Sequence, residues 1–180
     1  MFVENGVAES DPRMSDVYAH FEANLRDIID ILSSKGMHVV LSTVPVNLRH
    51  SAPFLSVTDN ALSPELSQQV SDLKARAAAQ SRNLQWRAAS TLWQQAIEID
   101  PGHADSHFQL ATSLERQGDR LGAKRHFERA LDLDALRFRA DTKINDRIRT
   151  VSKDYPSASL SFVDSAAAFD RASTPFPTGW

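Results

Sequence analysis

The sequence predicts an α/β chain that is mostly helical, with a small parallel sheet and an inserted pair of helical hairpins. "MHVVLSTV" (37–44) is a β-branched run without polar alternation, and "SASLSFVD" (157–164) contains a second short apolar run. Runs of this kind are typical of parallel strands that are covered on both faces. Between them, a pattern of alanine and aromatic residues recurs at a constant interval, which indicates helical repeats: Ala89, Trp93 and Ala96 are followed by Ala123, Phe127 and Ala130.

The first strand is preceded by a predicted helix over 16–35. Its apolar residues fall on one side of a helix, with Ser15 as the expected N-cap and Gly36 as the expected stop. A helix that leads directly into a buried strand is half of a βαβ unit. The predicted parallel sheet therefore has at least one helix packed on it.

A long loop, 45–64, follows the first strand and contains Asn47. Ligands of open α/β sheets bind beyond the carboxyl ends of strands, so Asn47 could donate to an oxyanion or a carbonyl group. The alternative is an asparagine that hydrogen-bonds its own loop backbone. The loop ends where Ser63 and Pro64 predict the start of a helix.

The middle of the chain resembles the tetratricopeptide repeat. Its signature of a small residue, an aromatic residue and alanine occurs twice, at the spacing of that repeat, and predicts these packing residues: Trp93, Ala96, Ala123, Phe127 and Ala130. Residues 104–137 form the good copy. The copy before it is degenerate, because Leu84 stands where the pattern has the glycine represented by Gly118 in the good copy. About three such repeats are needed to stand alone, so these two are expected to need something else to pack against.

Asp164, at the end of the second strand, has two interpretations. It could orient a catalytic histidine, or it could cap the short helix predicted after it, which we favour.

Two further groups of side chains have simple interpretations beside a functional one. His103 and His107 are spaced to share a helix face, but a zinc site needs at least three protein ligands and no third is nearby. A basic run (Arg137, Arg139, Arg147 and Arg149) could bind an anion, although a solvated helix face is the simpler interpretation.

Composition excludes several classes of function. The 180 residues carry a formal net charge of −3 and no cysteine, which argues against a nucleic-acid partner, a thiolate metal site and a cysteine nucleophile. No apolar run approaches the roughly 18 residues of a membrane span, and the first residues lack a signal-peptide pattern. No glycine-rich phosphate loop is present, and no metal or organic cofactor is expected.

The order of these motifs resembles the SGNH (GDSL-like) hydrolases, in the branch with tetratricopeptide helices inserted before the last strand. "STVPVNL" (42–48), "ALRFRAD" (135–141) and "LSFVD" (160–164) carry the resemblance. It implies a flavodoxin-like three-layer sandwich, with a partial core at 11–60 and 138–180 and the helical insertion at 64–137. On this alignment Asn47 and Asp164 lie at the rim of the site.

The same resemblance implies that the serine nucleophile block and the catalytic Asp-x-x-His block lie outside this chain. The sequence therefore predicts a catalytically incompetent piece of an ester hydrolase, with no catalytic residues of its own. The alternative is a small interaction module that binds a protein or peptide at the tetratricopeptide helices. The two strands lack the neighbours that the family would supply, so the sheet region is also predicted to self-associate.

Overall fold

The computed structural model describes residues 5–59 and 61–173, in which the chain forms seven helices and two strands. In chain order these are α1 Arg13–Ser34, β1 Val39–Ser42, α2 Pro64–Arg82, α3 Trp86–Ile99, α4 Ala104–Arg116, α5 Arg120–Leu133, α6 Thr142–Ser152, β2 Leu160–Val163 and α7 Ser165–Ala172. The predominantly helical character and the small parallel sheet are confirmed. The sequence predicts a loop over 171–180; helix α7 continues to Ala172, and residues 174–180 lie outside the described residues.

The chain divides into two compact units. The sheet unit contains residues 10–46 and 138–173, and the helical unit contains residues 5–9 and 47–137. The loop from 47 onward thus groups with the helices, whereas the sequence assigned it to the α/β core as far as residue 60. The reason is a set of hydrogen bonds from this loop to α4 and to the end of α5.

The sheet unit has a core where α1 and α6 meet the two strands. Its buried side chains are Ile29, Leu41, Ile148, Val151 and Leu160. Helix α1 begins at Arg13, slightly before the predicted start, so Ser15 lies inside the helix. Gly36 follows the helix with φ +73°, a left-handed conformation that glycine adopts without steric cost.

The strands pair in parallel, with Val39 opposite Leu160 and Leu41 opposite Phe162. Their alternate residues point to the other face, where Val40 is 68% exposed and Val163 47% exposed. The prediction that both faces of the sheet are covered is therefore wrong for the described residues, and the three-layer sandwich is not confirmed.

The stretch "RFRADTKINDRIRTVSKDYP" (137–156) predicts a helix with Phe138 among its inward-facing residues, but helix α6 begins only at Thr142. Asp141 is its N-cap and accepts a hydrogen bond from the Ile144 backbone N–H at 2.9 Å. Phe138, which the sequence pattern places on the inner face of this helix, precedes it and is 63% exposed. The cap explains the difference, because an aspartate that bonds to the third residue of the helix fixes where the helix starts.

The helical unit consists of two antiparallel hairpins, α2 with α3 and α4 with α5. The start of α2 is as predicted: Ser63 accepts from the Leu66 N–H and Pro64 occupies the first turn. One cluster packs Ala77 of α2 and Ala89 and Trp93 of α3 against Leu110 of α4. All five predicted packing residues of the repeat are buried.

The turns of the two hairpins show the correspondence between the repeats directly. Gly118, between α4 and α5, has φ +88°, and Leu84, between α2 and α3, has φ +58°. Leu84 is the non-glycine residue with positive φ in the described chain. The degenerate repeat keeps the backbone of the good one, although a leucine in this conformation is strained.

Candidate functional site

A stretch of chain without helix or strand, residues 47–58, lies along helix α4 in the helical unit; we call it the docked segment. Near the C-terminal end of α4, Arg49 Nε donates to Glu115 Oε2 at 3.0 Å. Near the N-terminal end, Ser56 Oγ accepts from the Asp105 backbone N–H at 2.7 Å. The docked segment therefore runs antiparallel to α4 and spans most of its length.

The middle of the docked segment is held through its backbone. Asp134, at the end of α5, accepts from the Phe54 N–H through Oδ2 and from the Leu55 N–H through Oδ1, each at 3.0 Å. The Ala135 N–H donates back to the Leu55 carbonyl oxygen at 3.0 Å. We call Asp134 and Ala135 the backbone clamp. Contacts to backbone groups hold an extended chain without selecting its side chains.

The first repeat has an aspartate at the position that corresponds to Asp134, but its carboxylate accepts no hydrogen bond within the described residues. Asp100, at the end of α3, stands in the first repeat where Asp134 stands in the second. It is fully buried, and neither carboxylate oxygen has a hydrogen-bond partner. The two repeats therefore place an aspartate at the same position, but the docked segment is bonded to the second.

A buried histidine, His103, caps the start of α4. Its Nδ1 accepts from the Ser106 backbone N–H at 3.2 Å, and its Nε2 lies 2.8 Å from Lys74 Nζ. Burial lowers the pKa of His103, and the Lys74 ammonium lowers it further. With Nδ1 as the acceptor, the neutral imidazole carries its proton on Nε2, so Nε2 is not an acceptor for the Lys74 ammonium group.

His107, one turn further along α4, stacks on His126 of α5 with ring centroids 5.2 Å apart. Their Nδ1 atoms are 3.0 Å apart, so one ring donates and the other accepts. Burial lowers the pKa of His107 to about 4, and burial also lowers the pKa of His126. His103 and His107 thus bond to different neighbours. Within the described residues, no group of three or more histidine, aspartate or glutamate side chains is placed to hold a metal ion.

An open groove of about 420 Å³ lies between α3 and α4. Two leucines of α4 line it together with polar residues of α3: Leu110, Leu114, Ser90, Thr91, Gln94, Gln95 and Glu98. It has no titratable pair or buried polar group suited to chemistry. Its amide and hydroxyl side chains suit hydrogen bonding to a partner surface.

The two predicted rim residues belong to different units. In the helical unit, Asn47 Oδ1 accepts from the His50 backbone N–H at 2.9 Å, within its own loop. In the sheet unit, Asp164 caps α7 by accepting from the Ala167 N–H at 3.1 Å, and it also pairs with Arg149. The hydrogen bonds from the Arg149 guanidinium hold the pKa of the Asp164 carboxyl well below its usual range.

The basic run is partly neutralised within the units. Arg147 pairs with Glu22 of α1 at 2.8 Å, while Arg149 pairs with Asp146 and Asp164. In the helical unit, Arg137 donates to the Asp132 carbonyl oxygen at 2.8 Å. These contacts spread the run over several partners, and no common anion site emerges from them.

Sequence reasoning did not identify the docked segment or the clamp. Two signals were present: the loop 45–64 is unusually long, which is typical of functional loops, and the period of the repeat aligned Asp100 with Asp134. Neither signal shows that the loop would lie on α4, because that depends on contacts between residues far apart in the sequence.

Comparison with known proteins supports the helical part of this description. Residues 92–125 match the tetratricopeptide repeat family, a stretch that begins inside α3, includes all of α4 and ends inside α5. No curated protein and no solved structure matches the chain. The resemblance to SGNH hydrolases finds no support in these comparisons. The middle of the chain thus carries a tetratricopeptide repeat at 92–125, packed in a hairpin array that also holds the docked segment.

Proposed function

We propose that the helical unit is a protein-interaction module that binds an extended segment of a partner protein along α4. The tetratricopeptide match supports this, since helical repeats of this kind stack to present extended binding surfaces. The observation that carries the proposal is the backbone clamp. Asp134 and Ala135 bond to three backbone groups of the docked segment, and this supports the proposal because a partner segment could be held through the same kind of bonds.

A hydrolase function has no comparable support. Of the two site residues assigned by the resemblance, Asn47 accepts a hydrogen bond from the backbone of its own loop and Asp164 caps helix α7. The expectation that this chain is catalytically incompetent therefore stays a prediction, and the interaction module is the function that the geometry favours.

The test uses the full chain with residues 49–56 replaced by GGGGGPPG, which we call the opened chain; it lacks the arginine, the hydroxyl of residue 56 and the two backbone N–H groups that Asp134 binds. A fluorescein-labelled peptide of the sequence NLRHSAPFLSVT, which copies residues 47–58, is titrated with it and followed by anisotropy. We expect saturable binding with one site per chain.

The control is the opened chain carrying Glu115→Gln and Asp134→Asn, in which we expect binding to be lost. Circular dichroism establishes that both proteins are folded. An opened chain with its helical signal intact that binds no peptide would overturn the proposed function.

A further inference from the structure

We propose that the docked segment is a built-in occupant of the binding surface, and that the partner displaces it with an extended segment carrying arginine seven residues before serine or threonine. This inference rests on the proposed function. It adds which chemistry the partner has and how access to the surface is controlled.

The arginine requirement comes from one end of α4. The Glu115 side chain is only 7% exposed, and the Arg49 side chain that pairs with it is 25% exposed. A carboxylate with so little access to water needs a cation, and the planar guanidinium suits such a partly buried pair better than an ammonium group. A partner that displaces Arg49 without supplying its own cation leaves Glu115 buried and unpaired.

The hydroxyl requirement comes from the other end. The Asp105 N–H belongs to the first turn of α4, where backbone donors have no partner within the helix. Ser56 Oγ accepts from it at 2.7 Å. A threonine hydroxyl at the same place makes the same bond, whereas alanine leaves the donor unsatisfied.

Between these ends the hydrogen bonds of the backbone clamp go to the backbone of the docked segment and do not depend on its side chains. The clamp bonds to the backbone of Phe54 and Leu55, and the Phe54 side chain is 54% exposed. His50 and Ala52 are exposed as well. Ser51, Pro53 and Leu55 are partly buried, so the arginine, the hydroxyl and the spacing between them define the charged and polar requirements of the partner.

The docked segment controls the access of a partner to the surface because it is covalently attached next to its own binding site. A segment tethered to its own site has an effective concentration in the millimolar range. If the docked segment itself binds its site with a dissociation constant of about 0.1 mM or lower, this effective concentration weakens a partner by a factor of at least about 10. Anything that loosens the segment raises the affinity for the partner.

The experiment compares three proteins: the natural chain, the opened chain, and the natural chain with Arg49→Ala as a milder variant. Each is titrated with the labelled peptide NLRHSAPFLSVT. We expect at least about 10-fold tighter binding to the opened chain than to the natural chain, with Arg49→Ala in between. Equal affinity in all three would overturn the built-in occupant while leaving the proposed function intact.

Peptide variants test the chemistry on the opened chain. Replacing the arginine or the second serine of the peptide by alanine should weaken binding at least about 10-fold each. The first change removes the charged partner of Glu115, and the second removes the acceptor for the Asp105 N–H. Replacing the histidine, which copies the exposed His50, should leave affinity unchanged and is the matched control. Unchanged affinity for the arginine variant would overturn the proposed partner chemistry. Absence of any binding to the folded opened chain would overturn the proposed function itself.

Discussion

Replacing the clamp aspartate by alanine should loosen the docked segment and destabilise the helical unit. Asp134 is 2% exposed and accepts three backbone hydrogen bonds, from Phe54, Leu55 and Leu136, at 3.0 to 3.2 Å. A hydrogen bond to a charged group contributes about 1.5–3 kcal/mol. Water replaces part of this when the segment detaches, so we expect Asp134→Ala to lower the free energy of unfolding by about 2–4 kcal/mol.

Asp100→Ala is the matched control, because the two aspartates occupy the same position of successive repeats. Asp100 is also buried, but the substitution removes no hydrogen bond from its carboxylate. It also relieves the cost of burying an unpaired polar group. We therefore expect Asp100→Ala to change the free energy of unfolding by less than about 1 kcal/mol.

Urea unfolding followed by tryptophan fluorescence measures both variants, since Trp86 and Trp93 lie on α3 of the helical unit. Hydrogen exchange locates the effect: the Phe54 and Leu55 amides should lose protection in Asp134→Ala and keep it in Asp100→Ala. Equal destabilisation by the two substitutions, or unchanged protection in Asp134→Ala, would refute the clamp.

Four further results are expected. Leu84→Gly should raise the melting temperature, because it removes a left-handed leucine that costs about 1–2 kcal/mol while exposing little new surface; a lower melting temperature would contradict the strain. Phe127→Ala should cost about 3–5 kcal/mol in urea unfolding, since the ring is 1% exposed; an unchanged midpoint would show that the repeat register is wrong. Because burial lowers the pKa of His107 to about 4, its contribution to the free energy of unfolding is complete above its unfolded pKa of about 6.5 and declines as the pH falls toward 4. About 2 kcal/mol of that free energy should therefore be lost between pH 7 and pH 5. His107→Gln should reduce this loss, whereas His20→Gln, on the exposed side of α1, should not. Sedimentation at micromolar protein should show dimers or larger species that Val40→Lys reduces, and a monomer throughout would count against self-association through the sheet.

The local features of the fold could be predicted because they depend on neighbouring residues. Ser63 and Pro64 mark the start of α2, and Gly36 marks the end of α1, through bonds within a few positions. The repeat packing was predictable for a related reason: the constant period of the repeat returns each side chain to the same place in the next hairpin. Leu84 shows how strong this effect is, since the array imposes the backbone of Gly118 on a residue that disfavours it.

Features that depend on distant residues could not be predicted in the same way. The run from Val39 to Leu41 suggests burial on both faces, but burial of Val40 would need a second helical layer, and α1 and α6 meet the strands on the opposite face. The candidate site is a similar case. Arg49 was an ordinary loop residue in the sequence, and its importance comes from Glu115, which lies 66 positions later.

The docked segment also accounts for how two repeats form a stable unit. Two hairpins bury too little apolar surface on their own. Here the second hairpin gains contacts from residues outside the repeats: Leu48 of the docked segment is buried, Phe54 and Leu55 bond to Asp134 and Ala135, and the Val7 N–H donates to the Ala135 carbonyl oxygen at 2.9 Å. The bonds to the docked segment would have to break when a partner displaces it. A partner that replaced only some of these bonds would destabilise the hairpins, so a partner that binds tightly must replace all of them. The partner must supply a cation to Glu115, two adjacent backbone N–H groups to Asp134 and an acceptor to Asp105, and the chemistry of the docked segment is therefore the best guide to the chemistry of what displaces it.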